Sequence, residues 1–232
     1  MKKTLLTLLA GSLLLTIPAV VRASDREDDD NRINRATEVF HEIMNAPDQG
    51  IPRGILESAK CIAIIPGEKK FAFIFGANYG RGVAVCRTEN GTWSAPMFVA
   101  VDGGSVGYQI GGSSTDLIMI FMNDHALKSL LSDKFKLGGD ASVAAGPVGR
   151  NAQADTDLKL TAEILSYSRS KGVFAGVSLD GAVVQTDKSG DHAMYGDDVT
   201  HREILSGKIT APESAQRLLH EIGMYVREAK AS

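Results

Sequence analysis

The sequence lacks the excess of basic residues that marks a nucleic-acid-binding protein. Its 232 residues include 25 Lys and Arg side chains against 28 Asp and Glu, a formal net charge of −3 at pH 7. Non-specific nucleic-acid binding normally requires a basic surface, so we expect no nucleic acid among the partners. Short metal-binding spacings are also missing among the five histidines and two cysteines. We therefore predict no metal site and no cofactor.

One catalytic motif is matched in sequence but not in its predicted structural context. Residues Gly103 to Gly107 fit the G-x-S-x-G pattern of a serine hydrolase, with Ser105 in the place of the nucleophile. That motif needs a helix directly after the serine, whereas Val106, Tyr108 and Ile110 alternate as in a strand. We predict that Ser105 is structural and that the protein is not an enzyme, with a serine hydrolase as the remote alternative.

A second segment resembles a binding loop without completing its motif. Residues Asp187 to His192 gather oxygen ligands but lack the sixth-place glycine and the distal glutamate of a calcium-binding EF-hand loop. The sequence favours a solvated turn at this position.

The first 23 residues have the order of a secretory signal peptide. Lys2 and Lys3 precede an apolar stretch from Leu5 to Leu15, and small residues follow up to Ala23. That stretch is shorter than a membrane-spanning helix requires, and no cysteine lies near Ala23 to take a lipid. We predict cleavage after Ala23 and a periplasmic or secreted mature protein. Loss of two lysines and Arg22 would leave 22 basic and 28 acidic side chains, a formal charge of −6.

Residues 24–50 are predicted to form an acidic N-terminus and an amphipathic helix, followed by the main domain at residues 51–232. The helix is expected to begin at a cap provided by Asp30 or Asn31 and to end before Pro47. Its apolar residues recur at helical spacing, so we expect this face to pack on the core. They are Ile33, Ala36, Phe40, Ile43 and Met44. The opposite face, of mixed charge, is expected to meet solvent. It carries Arg32, Arg35, Glu38 and Glu42.

Short β-rich segments separated by turn residues fill the middle of the chain, which predicts antiparallel strands. They are Cys61 to Ile65, Phe71 to Ala77, Gly82 to Arg87, Pro96 to Val101, Ser105 to Ile110, Thr115 to Met122, Ala141 to Val148, Ala162 to Ser168, Gly172 to Leu179 and Ala182 to Thr186. Glycines within them indicate bends. Helices are predicted at Asp124 to Leu131, at Asp198 to Leu205 and from Pro212 onward. The predicted fold is α+β, with a curved, mainly antiparallel sheet, barrel- or sandwich-like, flanked by N- and C-terminal helices.

Cys61 and Cys86 are the only thiols of the chain. Export to an oxidising compartment favours a disulfide between them. The alternative is two buried core residues, because a simple meander of three strands would place them at opposite ends of the sheet. We predict the disulfide.

A basic turn provides the candidate binding residues. Lys69 and Lys70 lie between apolar strands, Arg81 and Arg87 follow nearby in sequence, and aromatic residues lie between them. An exposed patch of this kind could meet the phosphates of anionic lipids. The alternative is an ordinary solvated hairpin.

Several ordered motifs together resemble the SYLF domain family. The resemblance spans roughly Pro52 to Gly207, and its motifs are Ala59 to Pro66, Tyr79 to Val83, Trp93 to Pro96, Gln109 to Asp116, Ala144 to Arg150 and Ser166 to Leu179. It implies a non-catalytic domain, because eukaryotic members bind phosphoinositides and some bind and bundle actin. Their lipid binding is attributed partly to a basic amphipathic N-terminal segment.

The expected ligand is therefore an anionic phospholipid or a phosphoinositide-like head group at the cell envelope. The N-terminal segment of this chain departs from the family pattern because its charge is mixed. Actin is not expected as a partner, because an exported protein does not meet cytoplasmic actin. The alternative function is a structural or interaction module that contacts an envelope protein through an exposed sheet edge.

Overall fold

The fold was analysed in a computed structural model, which describes residues 17–46, 50–67, 77–104, 115–148, 162–170, 173–177 and 179–231. A strongly curled sheet occupies its centre, with helices at both ends of the chain, which confirms the predicted α+β class. The sheet order is β5-β9-β3-β2-β1-β4-β7-β6, and β8 also pairs with β7. The strands are β1 (Cys61–Ile65), β2 (Ala77–Cys86), β3 (Met97–Gly104), β4 (Thr115–Phe121), β5 (Lys134–Lys136), β6 (Val143–Ala145), β7 (Ile164–Ser170), β8 (Val173–Gly176) and β9 (Val183–Thr186).

The helices cover the sheet and differ in part from those expected. They are α1 (Ile17–Met44), α2 (Arg53–Ser58), α3 (Asp124–Leu130), α4 (Lys188–Tyr195), α5 (His201–Leu205) and α6 (Gln216–Ala231), with a 3-10 turn at Glu213–Ala215 before α6. The sequence did not predict α2 or β5, because both are too short to show a periodic pattern. In the part of the chain that the structure describes, no helix is both long and apolar enough to cross a membrane.

Helix α1 begins well before the position that the capping residues indicated. In the described residues it already runs from Ile17, so neither Asp30 nor Asn31 caps it. Its apolar face is buried as predicted, with Ile33 and Phe40 fully enclosed. Arg32 does not face solvent as expected, because its side chain turns into the protein and is only 6% exposed.

Strand β2 decides how the two cysteines meet. It is one long strand that pairs antiparallel with β1, so its last residue, Cys86, lies directly opposite the first residue of β1, Cys61. The two are joined by a disulfide, with Cα atoms 4.0 Å apart. A simple meander of three strands, which would have placed the two cysteines at opposite ends of the sheet, is therefore wrong. Of the strand expected at Phe71 to Ala77, the structure describes only Ala77, where β2 begins.

Close approach of β1 and β2 depends on a glycine. A Cβ atom added to Gly82 would lie 2.1 Å from the carbonyl oxygen of Ile64, which no real side chain tolerates. Gly82 thus permits the tight pairing of the two central strands.

Alternate residues of the central strands point into two separate cores. The helical face of the sheet, which includes Ile62 and Ile64, packs against α1, α2 and α6. The disulfide face, which includes Cys61 and Ala63, packs against α3, α5 and β5. Strand β1 is therefore buried on both sides along its whole length.

Candidate functional site

An open groove of about 450 Å³ lies between the turn that follows β2 and the outer side of α6. Two arginines and one histidine line it, together with apolar and neutral polar side chains, and none of the ten lining residues is acidic. They are Arg87, Gly91, Thr92, Trp93, Gln216, Leu219, His220, Gly223, Val226 and Arg227. In a chain with more acidic than basic residues, this composition favours an anionic ligand.

One wall of the groove is a tight turn that presents Arg87 against Trp93. The Thr88 N–H donates to the Thr92 carbonyl over 2.8 Å, and Gly91 at φ +78° closes the turn with a conformation suited to glycine. The guanidinium carbon of Arg87 then lies 4.9 Å from the centre of the Trp93 ring, within the range of a cation–π interaction.

The Arg87 guanidinium is also tied to the end of α2. Its Nη2 donates to the Glu57 carbonyl over 3.2 Å, and its Nε donates to the Ala59 carbonyl over 3.3 Å. Burial lowers the pKa of Arg87, and the nearby Glu57 carboxylate offsets part of that effect. The side chain stays charged because arginine titrates so far above neutral pH. Arg87 thus holds a fixed positive charge at one side of the groove.

The other wall is a face of α6 whose residues recur every three or four positions. Gln216, His220, Gly223 and Arg227 lie on this face, while Leu218 and its neighbours one turn apart pack into the core. A Cβ atom added to Gly223 would lie 3.3 Å from Nη1 of Arg227, so the missing side chain leaves room for that guanidinium to lie back along the helix.

The predicted binding residues do not form a single patch in the described structure. Arg81 and Arg87 lie six residues apart on and after β2, a separation of roughly 20 Å along a strand. Lys69 and Lys70 lie outside the described residues, and Ala77, the first described residue after them, lies at the end of β2 opposite to Arg87. Of these four residues, the structure places Arg87 in the groove. The proposed lipid contacts of all four stay a prediction.

Arg81 belongs instead to a buried charge cluster, formed by Asp29 and Arg32 of α1, Arg81 of β2, and Asp187 and Asp191 at α4. Arg32 bridges two carboxylates, with Nη2 2.9 Å from Asp29 Oδ1 and Nη1 2.8 Å from Asp187 Oδ2. Arg81 Nη2 lies 2.5 Å from the same Asp187 oxygen.

Sheet and ring contacts complete the surroundings of the charge cluster. The Phe98 N–H donates to Asp191 Oδ1 over 2.8 Å, and the Arg32 guanidinium carbon lies 5.1 Å from the centre of the Phe98 ring. Asp187 caps α4 by accepting from the Ser189 hydroxyl over 2.7 Å and from the Gly190 N–H over 3.3 Å. The segment predicted as a solvated turn is therefore a helix start with two buried carboxyls, because ion pairs and caps replace water there.

The three carboxyls of the charge cluster titrate differently. Burial raises the pKa of Asp29 to about 6, although the adjacent Arg32 opposes the change. Burial likewise raises the pKa of Asp191 to about 7 against the hydrogen bond from Phe98. Burial acts in the same direction on Asp187, but the Ser189 hydroxyl and the two guanidiniums outweigh it, so its pKa lies below the ordinary value. Asp187 is thus the carboxyl of the three that ionises most readily.

Sequence reasoning missed both the α6 wall and the charge cluster. The groove-facing residues of α6 show helical spacing, but only the position of the turn after β2 makes their face a wall. Asp29 and Arg32 stand three apart, as an intrahelical ion pair requires, whereas Asp187 lies 155 residues from Arg32 and gives no local signal.

The described parts of the chain contain no cluster of metal-binding side chains. No group of three or more His, Cys, Asp or Glu residues there could hold a metal ion. Ser105 lies outside the described residues, so its structural role stays a prediction.

Comparison with known proteins then gives the family. Residues 102–225 match the family described as Ysc84, Las17-binding protein actin regulator. The chain belongs to this family, which confirms the SYLF resemblance. The family is one of binding and regulatory proteins, which is consistent with a non-catalytic role.

Relatives from fungi and animals share the domain at moderate identity. The chain is 39% identical to protein YSC84 of Saccharomyces cerevisiae over 175 residues, which cover 74% of this chain and 37% of that protein. It is 40% identical to LAS seventeen-binding protein 3 of the same yeast, over 74% of this chain and 38% of that protein. It is 32% identical to SH3 domain-containing YSC84-like protein 1 of Bos taurus, over 79% and 54% respectively. The chain thus spans only part of the length of these relatives.

Proposed function

We propose that this protein is a non-catalytic binding domain that recognises anionic phospholipid head groups at the cell envelope after export. The observation that carries the proposal is the groove between the turn after β2 and α6, with Arg87 and Arg227 at its walls and no acidic side chain in its lining. A phosphate group is well matched by arginine, whose planar fork of donors fits its oxygens.

The apolar part of the groove suits the rest of a phospholipid. Trp93, Leu219 and Val226 provide aromatic and aliphatic surface beside the two guanidiniums. Tryptophan is favoured at membrane–water interfaces because its ring is apolar and its N–H is polar. A lipid bound here would place its phosphate near the arginines and its glycerol region against these side chains.

Liposome flotation tests the proposal. Protein purified from the periplasm should float with vesicles containing phosphatidylglycerol and not with vesicles of phosphatidylcholine alone. Arg227→Glu removes one attraction and adds one repulsion at an exposed position, so we expect binding to weaken by roughly thirtyfold at about 1 kcal/mol per charge. Added salt should weaken the binding of the unchanged protein, because charges are screened over about 8 Å at physiological ionic strength.

The matched control is Arg202→Glu, which changes the net charge equally at an exposed position of α5, outside the groove lining. It should bind like the unchanged protein. A third variant, Lys69→Glu with Lys70→Glu, separates the groove from the basic turn. Loss of binding in this variant alone would move the site to the turn, and no flotation with any anionic lipid would refute the proposal.

Export is part of the proposed function and rests on the signal-peptide pattern of residues 1–23 and on the disulfide, which oxidising compartments favour. N-terminal sequencing of the protein recovered from the periplasm should begin at Ser24. A mature protein that retains Met1 and is found in the cytoplasm would contradict this part.

A protein partner is the second candidate ligand. The name of LAS seventeen-binding protein 3 refers to binding of a protein. In the described chain β8 pairs only with β7, and its Val173 is 63% exposed, so an extended segment of an envelope protein could add to this edge. Crosslinking in intact cells from a photoreactive residue at Val173 should then capture a protein, whereas capture of none would leave lipid as the better candidate.

A further inference from the structure

The charge cluster contains more negative than positive groups. Three carboxyls, from Asp29, Asp187 and Asp191, share two guanidiniums, so full ionisation leaves one negative charge without a cation in the cluster. Asp29 and Asp191 are only 3% and 2% exposed, and an uncompensated charge in such a position is costly. One additional proton would make the cluster neutral.

The cluster also joins separate parts of the fold. Asp29 and Arg32 belong to α1, whereas Arg81 belongs to β2 and the remaining carboxyls lie at α4. Its ion pairs therefore tie α1 to both the sheet and α4, at the point where Arg32 stacks on Phe98 of β3. We propose that the charge cluster is an acid-tightened clasp, which holds α1 more firmly when one proton is shared between Asp29 and Asp191.

The charged surroundings of these two carboxyls are acids and arginines. Asp29 faces Asp25 and Arg32 of its own helix, Arg81 of β2 and Asp187 of α4. Asp191 faces Asp29 and Arg32 of α1, and Asp187 and Tyr195 of α4. The titration of the clasp near neutral pH is thus assigned to Asp29 and Asp191.

The direction of the pH effect follows from the raised pKa values of about 6 for Asp29 and about 7 for Asp191. The folded protein takes up these protons more readily than the unfolded chain, so their contribution to stability is complete in acid and is lost as the pH rises through the folded values. Asp187 acts in the opposite direction, because its lowered pKa gives stability that is lost only in acid. Between pH 6 and pH 8 the clasp should therefore loosen.

Two measurements on the mature protein test the clasp. With a pKa of about 7, Asp191 makes the unfolding equilibrium constant rise about tenfold between pH 6 and pH 8, which lowers Tm by about 3 °C. Hydrogen exchange of the α1 amides, corrected for the intrinsic pH dependence of exchange, should accelerate over the same interval. Asp191→Asn keeps an oxygen to accept from the Phe98 N–H but cannot ionise. In this variant, the change in the unfolding equilibrium constant and the change in the α1 exchange rate should each fall below about twofold.

Asp198→Asn, at an exposed carboxyl, is the matched control and should retain the tenfold change. The proposal is overturned if the unchanged protein shows no dependence between pH 6 and pH 8, if Asp191→Asn retains it, or if Asp198→Asn loses it as well. Should Asp191→Asn fail to fold, Asp29→Asn is tested instead. With a pKa of about 6, Asp29 by itself accounts for about a twofold change in the unfolding constant over this interval, so the variant should lose at least that part of the dependence. An unchanged dependence in Asp29→Asn would overturn the proposal.

Discussion

On the helical face of the sheet, charged side chains are buried between α1, β2 and α4, whereas the disulfide face encloses no charged residue among those that the structure describes. The disulfide face is instead linked covalently, by Cys61 and Cys86 at the end of β1 and β2. Both faces pack a similar set of aliphatic side chains. They differ in the links that reinforce this packing. Ion pairs whose strength depends on pH join α1, β2 and α4 on one side, and a covalent bond joins β1 to β2 on the other.

The two kinds of link stabilise the fold in different ways and respond to different conditions. A disulfide constrains mainly the unfolded chain and needs no charge on the folded one. Buried ion pairs contribute little net stability, but the loss of one partner leaves a charge without compensation. The helical face should therefore be sensitive to single substitutions and to pH, and the disulfide face to reductant.

Removal of Arg32 should have the largest effect. Arg32→Met keeps the volume of the side chain but leaves Asp29 and Asp187 without their shared cation, so we expect a loss of about 4 kcal/mol in the free energy of unfolding. Urea unfolding measures it. Arg35→Met, on the exposed side of the same helix, is the matched control and should cost little. Equal effects of the two substitutions would show that the charge cluster does not stabilise the helical face.

Removal of the disulfide should rank second. Cys61→Ser with Cys86→Ser opens a bridge between residues 25 apart in sequence, which costs about 3 kcal/mol in the chain-entropy description. Unfolding with and without reductant measures it, and reductant should not affect the double variant. Two free thiols in the native protein, isolated without reductant, would contradict the bridge.

Substitutions at the rim of the helical face should have the smallest effect on the free energy of unfolding. Arg169 of β7 pairs with both Asp116, which is 13% exposed, and Glu42, which is 50% exposed. Glu42→Gln should cost about 0.5 kcal/mol or less, because exposed ion pairs are screened by water. Asp116→Asn should cost more, since that carboxylate also accepts from the Gly67 N–H over 2.8 Å. Urea unfolding measures both costs. A larger cost for Glu42→Gln than for Asp116→Asn would mean that burial does not determine how much these ion pairs contribute to stability.

The sequence by itself determined the α+β class, the apolar face of α1, most central strands and the family. Those features are local, because helical spacing, continuous apolar strands such as β1 and ordered motifs can be read within short segments. The sequence also predicted the disulfide, though from the expected compartment and against the expected strand order.

Only the tertiary structure decided which distant residues meet. Strand pairing brought Cys86 opposite Cys61, and the packing of α1 brought Arg32 to Asp187, 155 positions away. The groove likewise needs the turn at Arg87 and a face of α6 more than 120 residues later. Buried ion pairs and groove walls depend on which elements pack together, and local propensity carries no information about that choice.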